Sequence, residues 1–183
     1  KQCLVGSEMC IRDRVVSQGN FHGEIVALTC DAMSLAMFEL GSISERRMDQ
    51  MLDPARSEMP AFLAKDSGLE SGLMIVQYVA GASLAELHGQ ATPRSAFSTT
   101  TSAGQEDHVS MGATAAWNLH VGVRRLSEIL ACEALIAAEA LEHATLRSSP
   151  HVRAMHDLVR TVASVLVGDR STSAELMQIA DEL

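Results

Sequence analysis

The chain has 183 residues, 47% of them hydrophobic, which is enough for one domain with a sizeable core. Its formal net charge is −9 and its 14 Lys and Arg residues are scattered along the sequence, so we predict no nucleic-acid partner. Aromatic residues make up only 3% of the chain, whereas Ala, Leu and Met are abundant, and this favours helices over strands. The composition therefore predicts an all-α protein.

The cysteines and the apolar runs bear on the compartment. The four cysteines include no Cys-x-x-Cys pair, and a chain of this size needs no disulfides, which predicts a reducing, cytoplasmic location. The longest uncharged apolar-leaning run, Ser71 to Ala85, is shorter than the roughly 20 residues that a bilayer span needs. We therefore predict no membrane partner, and residues 1–14 lack the apolar core of a signal peptide.

The first apolar pattern covers residues 24–40 and predicts a helix that is buried on several sides and ends at Gly41. Ser42 and Glu45 have the spacing of a capping box, which predicts a second helix from there to about Asp53, stopped by the proline that follows. We expect these two helices to meet at a tight corner.

The middle of the chain alternates between breakers and helix patterns. Pro, Ser and Gly residues predict a loop over residues 55–69, and a third helix follows over about 71–88. Its Gly81 costs roughly 1 kcal/mol relative to Ala. A Ser- and Thr-rich loop over 90–104 then precedes a long proline-free pattern over 109–146, which predicts the longest helix of a bundle.

Two further helices are predicted near the C terminus. Pro150 is suited to open one that runs to about Val167 and ends at Gly168. Thr172 and Glu175 form a second capping-box pattern before a short helix over residues 174–183.

Two polar stretches stand directly before apolar helix patterns. The hexapeptide Gly19 to Glu24 fits either a helix cap with a hydrophobic staple through Phe21 or a ligand-facing loop. The second stretch, Thr101 to Gly112, places Glu106 at or before the first turn of the long helix, where unpaired N–H groups and the helix dipole favour an ionised carboxylate. By itself this pattern fits solvated acids at a helix start equally well. No His-Glu-x-x-His spacing occurs, and we predict no metal.

Taken together, five stretches resemble the histidine and aromatic amino-acid ammonia-lyase family. They are Gly19 to Glu24, Gly41 to Arg47, Pro60 to Leu63, Ser71 to Ile75 and Thr101 to Gly112. Their order and spacing agree with the family from about residue 15 to the C terminus. The resemblance implies that residues 15–183 are the C-terminal portion of the helical ammonia-lyase (fumarase/aspartase-like) fold. Residues 1–14 do not match, and we interpret them as a non-native or mismatched lead.

The resemblance also implies a prosthetic group and partners. Family members make a methylidene-imidazolone (MIO) from an Ala-Ser-Gly triplet, use a tyrosine to remove the β-proton of the amino-acid substrate, and assemble as homotetramers. The chain contains no Ala-Ser-Gly triplet, and its one tyrosine, Tyr78, falls within a helix pattern. We therefore expect a missing N-terminal portion to supply the MIO and the tyrosine, and this chain to be inactive alone.

Two residues correspond to the family's site. The resemblance implies that Glu106 is catalytic and substrate-binding and that Phe21 is substrate-binding. Gln105 and Asn20 are further candidates for substrate-binding polar groups of the same pocket. A carboxylate facing a phenyl ring would be desolvated without a partner, so Glu106 favours L-histidine, converted to urocanate in the complete enzyme. The sequence Ala91 to Pro93 is typical of tyrosine ammonia-lyases and tyrosine 2,3-aminomutases, which are the alternatives. A non-catalytic helical interaction module is the alternative of another class.

Overall fold

The computed structural model describes residues 8–11, 14–17, 22–145 and 148–183. Two short strands, β1 (Glu8–Ile11) and β2 (Arg14–Ser17), pair antiparallel, with Glu8 opposite Ser17. The remaining regular structure is helical, which confirms the all-α prediction for residues 22–145 and 148–183. The helices are α1 (Glu24–Leu52), α2 (Pro54–Ser57), α3 (Met74–Gln90), α4 (Gly112–His143), α5 (Pro150–Val162) and α6 (Ser173–Glu182).

The chain divides into two compact units, each built from two separate segments. The first unit comprises Lys1–Ala36 and Gly89–Gly122, and its apolar cluster is small, formed by Ala27, Cys30, Ala115 and Leu119. The second unit comprises Met37–His88 and Val123–Leu183, and it holds the main core. The largest fully buried side chains of that core are Met48, Leu63, Leu87, Ile129, Leu135 and Ile136.

Helix α1 is continuous, so the predicted corner at Gly41 is wrong. A Cβ atom at Gly41 would lie 3.1 Å from Ile129 and 3.2 Å from Leu87, which shows that this glycine permits close helix packing rather than ending the helix. The predicted capping box is also absent. Ser44 of the same stretch donates instead to the carboxylate of Glu133, and Glu45 accepts from Gln77 at 3.1 Å.

The predicted stop after residue 53 is confirmed, because α1 ends at Leu52. The Asp53 carboxylate accepts from the backbone N–H of Ala55 at 2.9 Å and caps the short helix α2. The third predicted helix and the long fourth one are confirmed as α3 and α4, each within a few residues of the expected ends.

The C-terminal helices differ from their predictions in two details. Helix α5 ends at Val162, because the buried Glu139 accepts from the backbone N–H of Leu166 and holds the following residues outside the helix. The predicted capping box before α6 is wrong, since Thr172 makes no side-chain cap. Glu175 instead pairs with Arg170.

One helix of the described residues, α1, is long and apolar enough to cross a membrane, with a mean hydropathy of 1.4 in its most apolar 18-residue window. The same helix nevertheless buries Asp31, Ser44 and Glu45. Each of these groups is hydrogen-bonded to another part of the protein. Only 28% of the apolar window is buried within the protein.

Candidate active site

Glu106 lies at the end of a tight hairpin within the loop between α3 and α4. The backbone N–H of Thr101 donates to the carbonyl of Glu106 at 2.9 Å, and the N–H of Glu106 donates back at 3.3 Å. Three consecutive residues of the turn, Ser102, Ala103 and Gly104, have left-handed φ values of 51°, 53° and 86°. Two of these are not glycine, so the turn is strained, and such strain is common where a loop serves a function.

The side chain of Glu106 faces two described partners. The Thr101 hydroxyl donates to its Oε2 atom at 3.1 Å, and Nε2 of His22 lies 3.8 Å from the same oxygen. The His22 side chain is 15% exposed and that of Glu106 is 38% exposed. Helix α4 begins at Gly112, so Glu106 lies before the first turn of the long helix. The described groups nearest its carboxylate are the Thr101 hydroxyl and the His22 imidazole.

The loop is joined to the start of α1 by two further contacts. The Ser110 hydroxyl donates to the backbone carbonyl of His22. An imidazole nitrogen of His108, Nε2, lies 3.1 Å from Oε2 of Glu24. The two polar stretches singled out in the sequence therefore meet in the first unit.

A buried acid of α1 provides another attachment for the same loop. Asp31 is 4% exposed, and its Oδ2 atom accepts from the backbone N–H of Ser95 at 2.8 Å and from the Ser95 hydroxyl at 2.6 Å. Burial raises the pKa of Asp31, but the hydrogen bonds from Ser95 and the charge of Arg94 together outweigh it, so the pKa is lowered. Sequence reasoning missed this contact, although an acid inside an apolar helix pattern was a signal for it.

The other predicted site residues are placed as follows. Asn20 and Phe21 lie outside the described residues. Gln105 is exposed, and its backbone N–H donates to the carbonyl of Ser102 at 3.1 Å. Tyr78, which was not assigned as a base, is 67% exposed on α3. Within the described part of the chain, no three His, Cys, Asp or Glu residues are grouped so as to hold a metal ion.

The comparisons with known proteins agree with the five stretches. The sequence model of the family described as aromatic amino acid lyase matches residues 4–161. The chain belongs to this family. The resemblance drawn from the sequence is therefore confirmed.

Individual relatives and solved structures of the aromatic amino acid lyase family match almost the whole chain. A histidine ammonia-lyase of Deinococcus radiodurans is 47% identical over 169 residues, which is 92% of this chain and 32% of that protein. The crystal structure of histidine ammonia-lyase from Trypanosoma cruzi has a TM-score of 0.87 at 38% identity and covers 94% of this chain and 34% of its own. The tyrosine aminomutase from Streptomyces globisporus has a TM-score of 0.88 at 31% identity, with 94% and 34% covered.

These matches confirm the helical ammonia-lyase fold. They also show that the chain spans about a third of the length of the relatives it matches.

Proposed function

We propose that this chain supplies one acidic wall of the substrate pocket in an amino-acid ammonia-lyase, and that the complete enzyme converts L-histidine to urocanate and ammonia. The observation that carries the proposal is the Glu106 carboxylate, half-buried and held by Thr101 in a strained hairpin. The 47% identity to a histidine ammonia-lyase supports it.

Glu106 discriminates between substrates through its charge. Its carboxylate can accept a hydrogen bond from an imidazole N–H or pair with an imidazolium, and a charge-assisted bond of this kind is roughly twice as strong as a neutral one. A phenyl ring offers no donor and would leave the carboxylate desolvated without compensation. In this proposal Glu106 is both substrate-binding and catalytic, because it orients the substrate that loses its amine and its β-proton.

Asn20, Phe21 and Gln105 complete this side of the pocket in the proposal. Phe21 provides an apolar wall, and the amides of Asn20 and Gln105 provide further polar contacts. The direct sequence link between Phe21 and His22, whose imidazole lies 3.8 Å from Glu106, supports placing Phe21 at the same pocket.

The prosthetic group belongs to another part of the enzyme. MIO supplies an electrophile for the substrate amine, but its Ala-Ser-Gly precursor does not occur in this chain. The residues present fit the role of a wall that faces such a group, since Glu106 presents a partly exposed carboxylate. We infer that an N-terminal portion carries the MIO and that the chain alone is inactive.

The assembly, compartment and domain limits are part of the same proposal. Ile25, Leu28 and Trp117 are more than half exposed in the first unit, and exposed apolar surface of this kind supports association with other subunits, which we propose to be a homotetramer as in the family. Residues 15–183 form the lyase portion, and the family match, which begins at residue 4, extends into the segment that the sequence suggested to be a mismatched lead. The protein is cytoplasmic and needs no metal, nucleic acid or membrane.

A hybrid enzyme tests the proposed function. The chain is joined to the N-terminal two thirds of the Deinococcus radiodurans histidine ammonia-lyase, and urocanate is followed by its absorbance. We expect urocanate from L-histidine with the hybrid and none with the 183-residue chain alone. Turnover by the chain alone, or a properly assembled hybrid that forms no urocanate, would contradict the proposal.

A second candidate activity is the conversion of L-tyrosine. The stretch Ala91 to Pro93 and the 31% identity to a tyrosine aminomutase favour it. The same hybrid, given L-tyrosine, would then release coumarate or β-tyrosine faster than it releases urocanate from L-histidine. An assembled hybrid that acts on neither amino acid would favour the non-catalytic interaction module.

A further inference from the structure

We propose that Thr101 is the positioning residue of Glu106 and thereby sets the discrimination between an imidazole, which can donate a hydrogen bond to the carboxylate, and a phenyl ring, which cannot. This inference rests on the proposed function, because it assigns a role to Thr101 in the same pocket. Thr101 does not touch the substrate in this proposal and acts through the Glu106 carboxylate.

Thr101 holds Glu106 through both backbone and side chain. The two backbone hydrogen bonds between them, at 2.9 and 3.3 Å, fix the Cα position of Glu106. The hydroxyl bond at 3.1 Å then fixes the direction of the carboxylate. A glutamate has three rotatable side-chain bonds, so a free one samples many directions, and a bond to one oxygen removes most of that freedom.

The short turn between the two residues strengthens this effect. The N–H of Gly104 donates to the Thr101 carbonyl at 3.1 Å, so the same residue closes the turn at a second point. The left-handed Ser102 and Ala103 hold the turn in a conformation that non-glycine residues rarely adopt. The hairpin is therefore a rigid base for the carboxylate.

The imidazole of His22 lies near the Glu106 carboxylate. Its Nε2 atom lies 3.8 Å from the oxygen that Thr101 holds, and the hydroxyl of Ser110 fixes its backbone. Glu106 therefore lies between a hydroxyl from its own hairpin and an imidazole from the start of α1. A carboxylate held by the Thr101 hydroxyl, with the His22 imidazole beside it, presents a defined acceptor to a substrate imidazole.

Thr101 also differs from its neighbours in the same Thr-rich run. Thr99 and Thr100 are exposed, whereas Thr101 is partly buried. The run therefore contains a matched control, because Thr100→Val makes the same chemical change one residue away from the hairpin closure.

The test uses Thr101→Val, Thr101→Ser and Thr100→Val in the hybrid enzyme. Valine keeps the branched shape and removes the hydroxyl, whereas serine keeps the hydroxyl. We expect kcat/KM for L-histidine to fall about 10- to 100-fold in Thr101→Val, as for the loss of a hydrogen bond to a charged group. The fall in kcat/KM for L-phenylalanine, whose phenyl ring has no hydrogen-bond donor, should be much smaller. In Thr101→Ser and in Thr100→Val, kcat/KM for L-histidine should stay within about threefold of the parent value, because both variants keep a hydroxyl at position 101.

Equal losses for the two substrates in Thr101→Val would overturn the inference, because a merely structural role lowers both alike. Failure of Thr101→Ser to restore discrimination would also overturn it.

A parent hybrid without urocanate formation contradicts the proposed function, and a second measurement then tests Thr101 separately. In the 183-residue chain, NMR scalar couplings should show one Glu106 rotamer in the parent and in Thr101→Ser, and averaged rotamers in Thr101→Val. Averaging already in the parent would refute the positioning role.

Discussion

Asp31 provides one of the attachments of the Glu106 loop to α1, and Asp31→Ala should loosen the loop. The substitution removes the acceptor of two hydrogen bonds, from the backbone N–H and the hydroxyl of Ser95, at 2.8 and 2.6 Å. Hydrogen bonds to a charged group contribute about 1.5–3 kcal/mol each. Because Ser95 is only partly buried, water can replace part of this loss, and we expect the loop to become less stable by about 3 kcal/mol.

Amide hydrogen exchange measures this change at the loop itself. A loss of about 3 kcal/mol corresponds to a roughly 100-fold larger population of the open loop. Hydrogen exchange should therefore be faster by about this factor at the amides of Ser95, Phe97 and Val109, which donate hydrogen bonds within the first unit. Asp31→Asn keeps an uncharged acceptor and should show a smaller acceleration. The matched control is Glu39→Ala, which removes an exposed acid from the same helix.

Two results would refute this reasoning. Unchanged exchange at these amides in Asp31→Ala would show that the loop is held by other contacts. Equal acceleration in Glu39→Ala would show that helix charge, rather than the Ser95 contact, is responsible. A lower pH provides an independent check: because the pKa of Asp31 is lowered, its stabilising contribution is present above the ordinary value of 3.8 and is lost as the pH falls through the lowered pKa.

Two further predictions concern stability. Gly72→Ala should destabilise the protein by at least about 2 kcal/mol in chemical denaturation, because Gly72 has φ +55° and a Cβ atom would collide with a backbone carbonyl. Gly81→Ala, within α3, is the control, because no atom of the described residues lies within 4 Å of the added carbon. It should stabilise the protein by about 0.5–1 kcal/mol. Equal changes in stability for the two substitutions would contradict the packing argument. His156 has a raised pKa because it is hydrogen-bonded to Glu142, so its stabilising contribution is full below pH 6.5 and is lost as the pH rises through the raised pKa. The Tm of the parent should therefore fall over this range more than that of His156→Gln, and parallel curves would contradict this.

Much of the helical fold could be predicted from the sequence because apolar spacing and proline report on local structure. The errors occurred where a distant partner decides the outcome. Gly41 has the local signature of a helix end, yet close packing against Ile129 keeps it inside α1. Leu166 lies in a helix-like pattern, yet Glu139 captures its backbone N–H and α5 ends earlier.

The candidate site shows the same division between local and distant information. The Thr101 to Gly112 stretch was recognised from its residue types, but the partners of Glu106 were not. The hairpin closure by Thr101 depends on left-handed backbone conformations in the turn. The approach of His22 to Glu106 depends on a contact across 84 residues of sequence. Neither follows from spacing alone, since non-glycine residues rarely adopt such conformations.

The central claim, that Glu106 selects the substrate, is tested most directly by Glu106→Gln in the hybrid enzyme. The amide has the same shape but no charge, so kcat/KM for L-histidine should fall by at least about 10-fold, the loss of a charge-assisted hydrogen bond. Glu182→Gln, an exposed acid near the C terminus, should leave it unchanged. Turnover of L-histidine by Glu106→Gln at the parent's rate and KM would contradict the account.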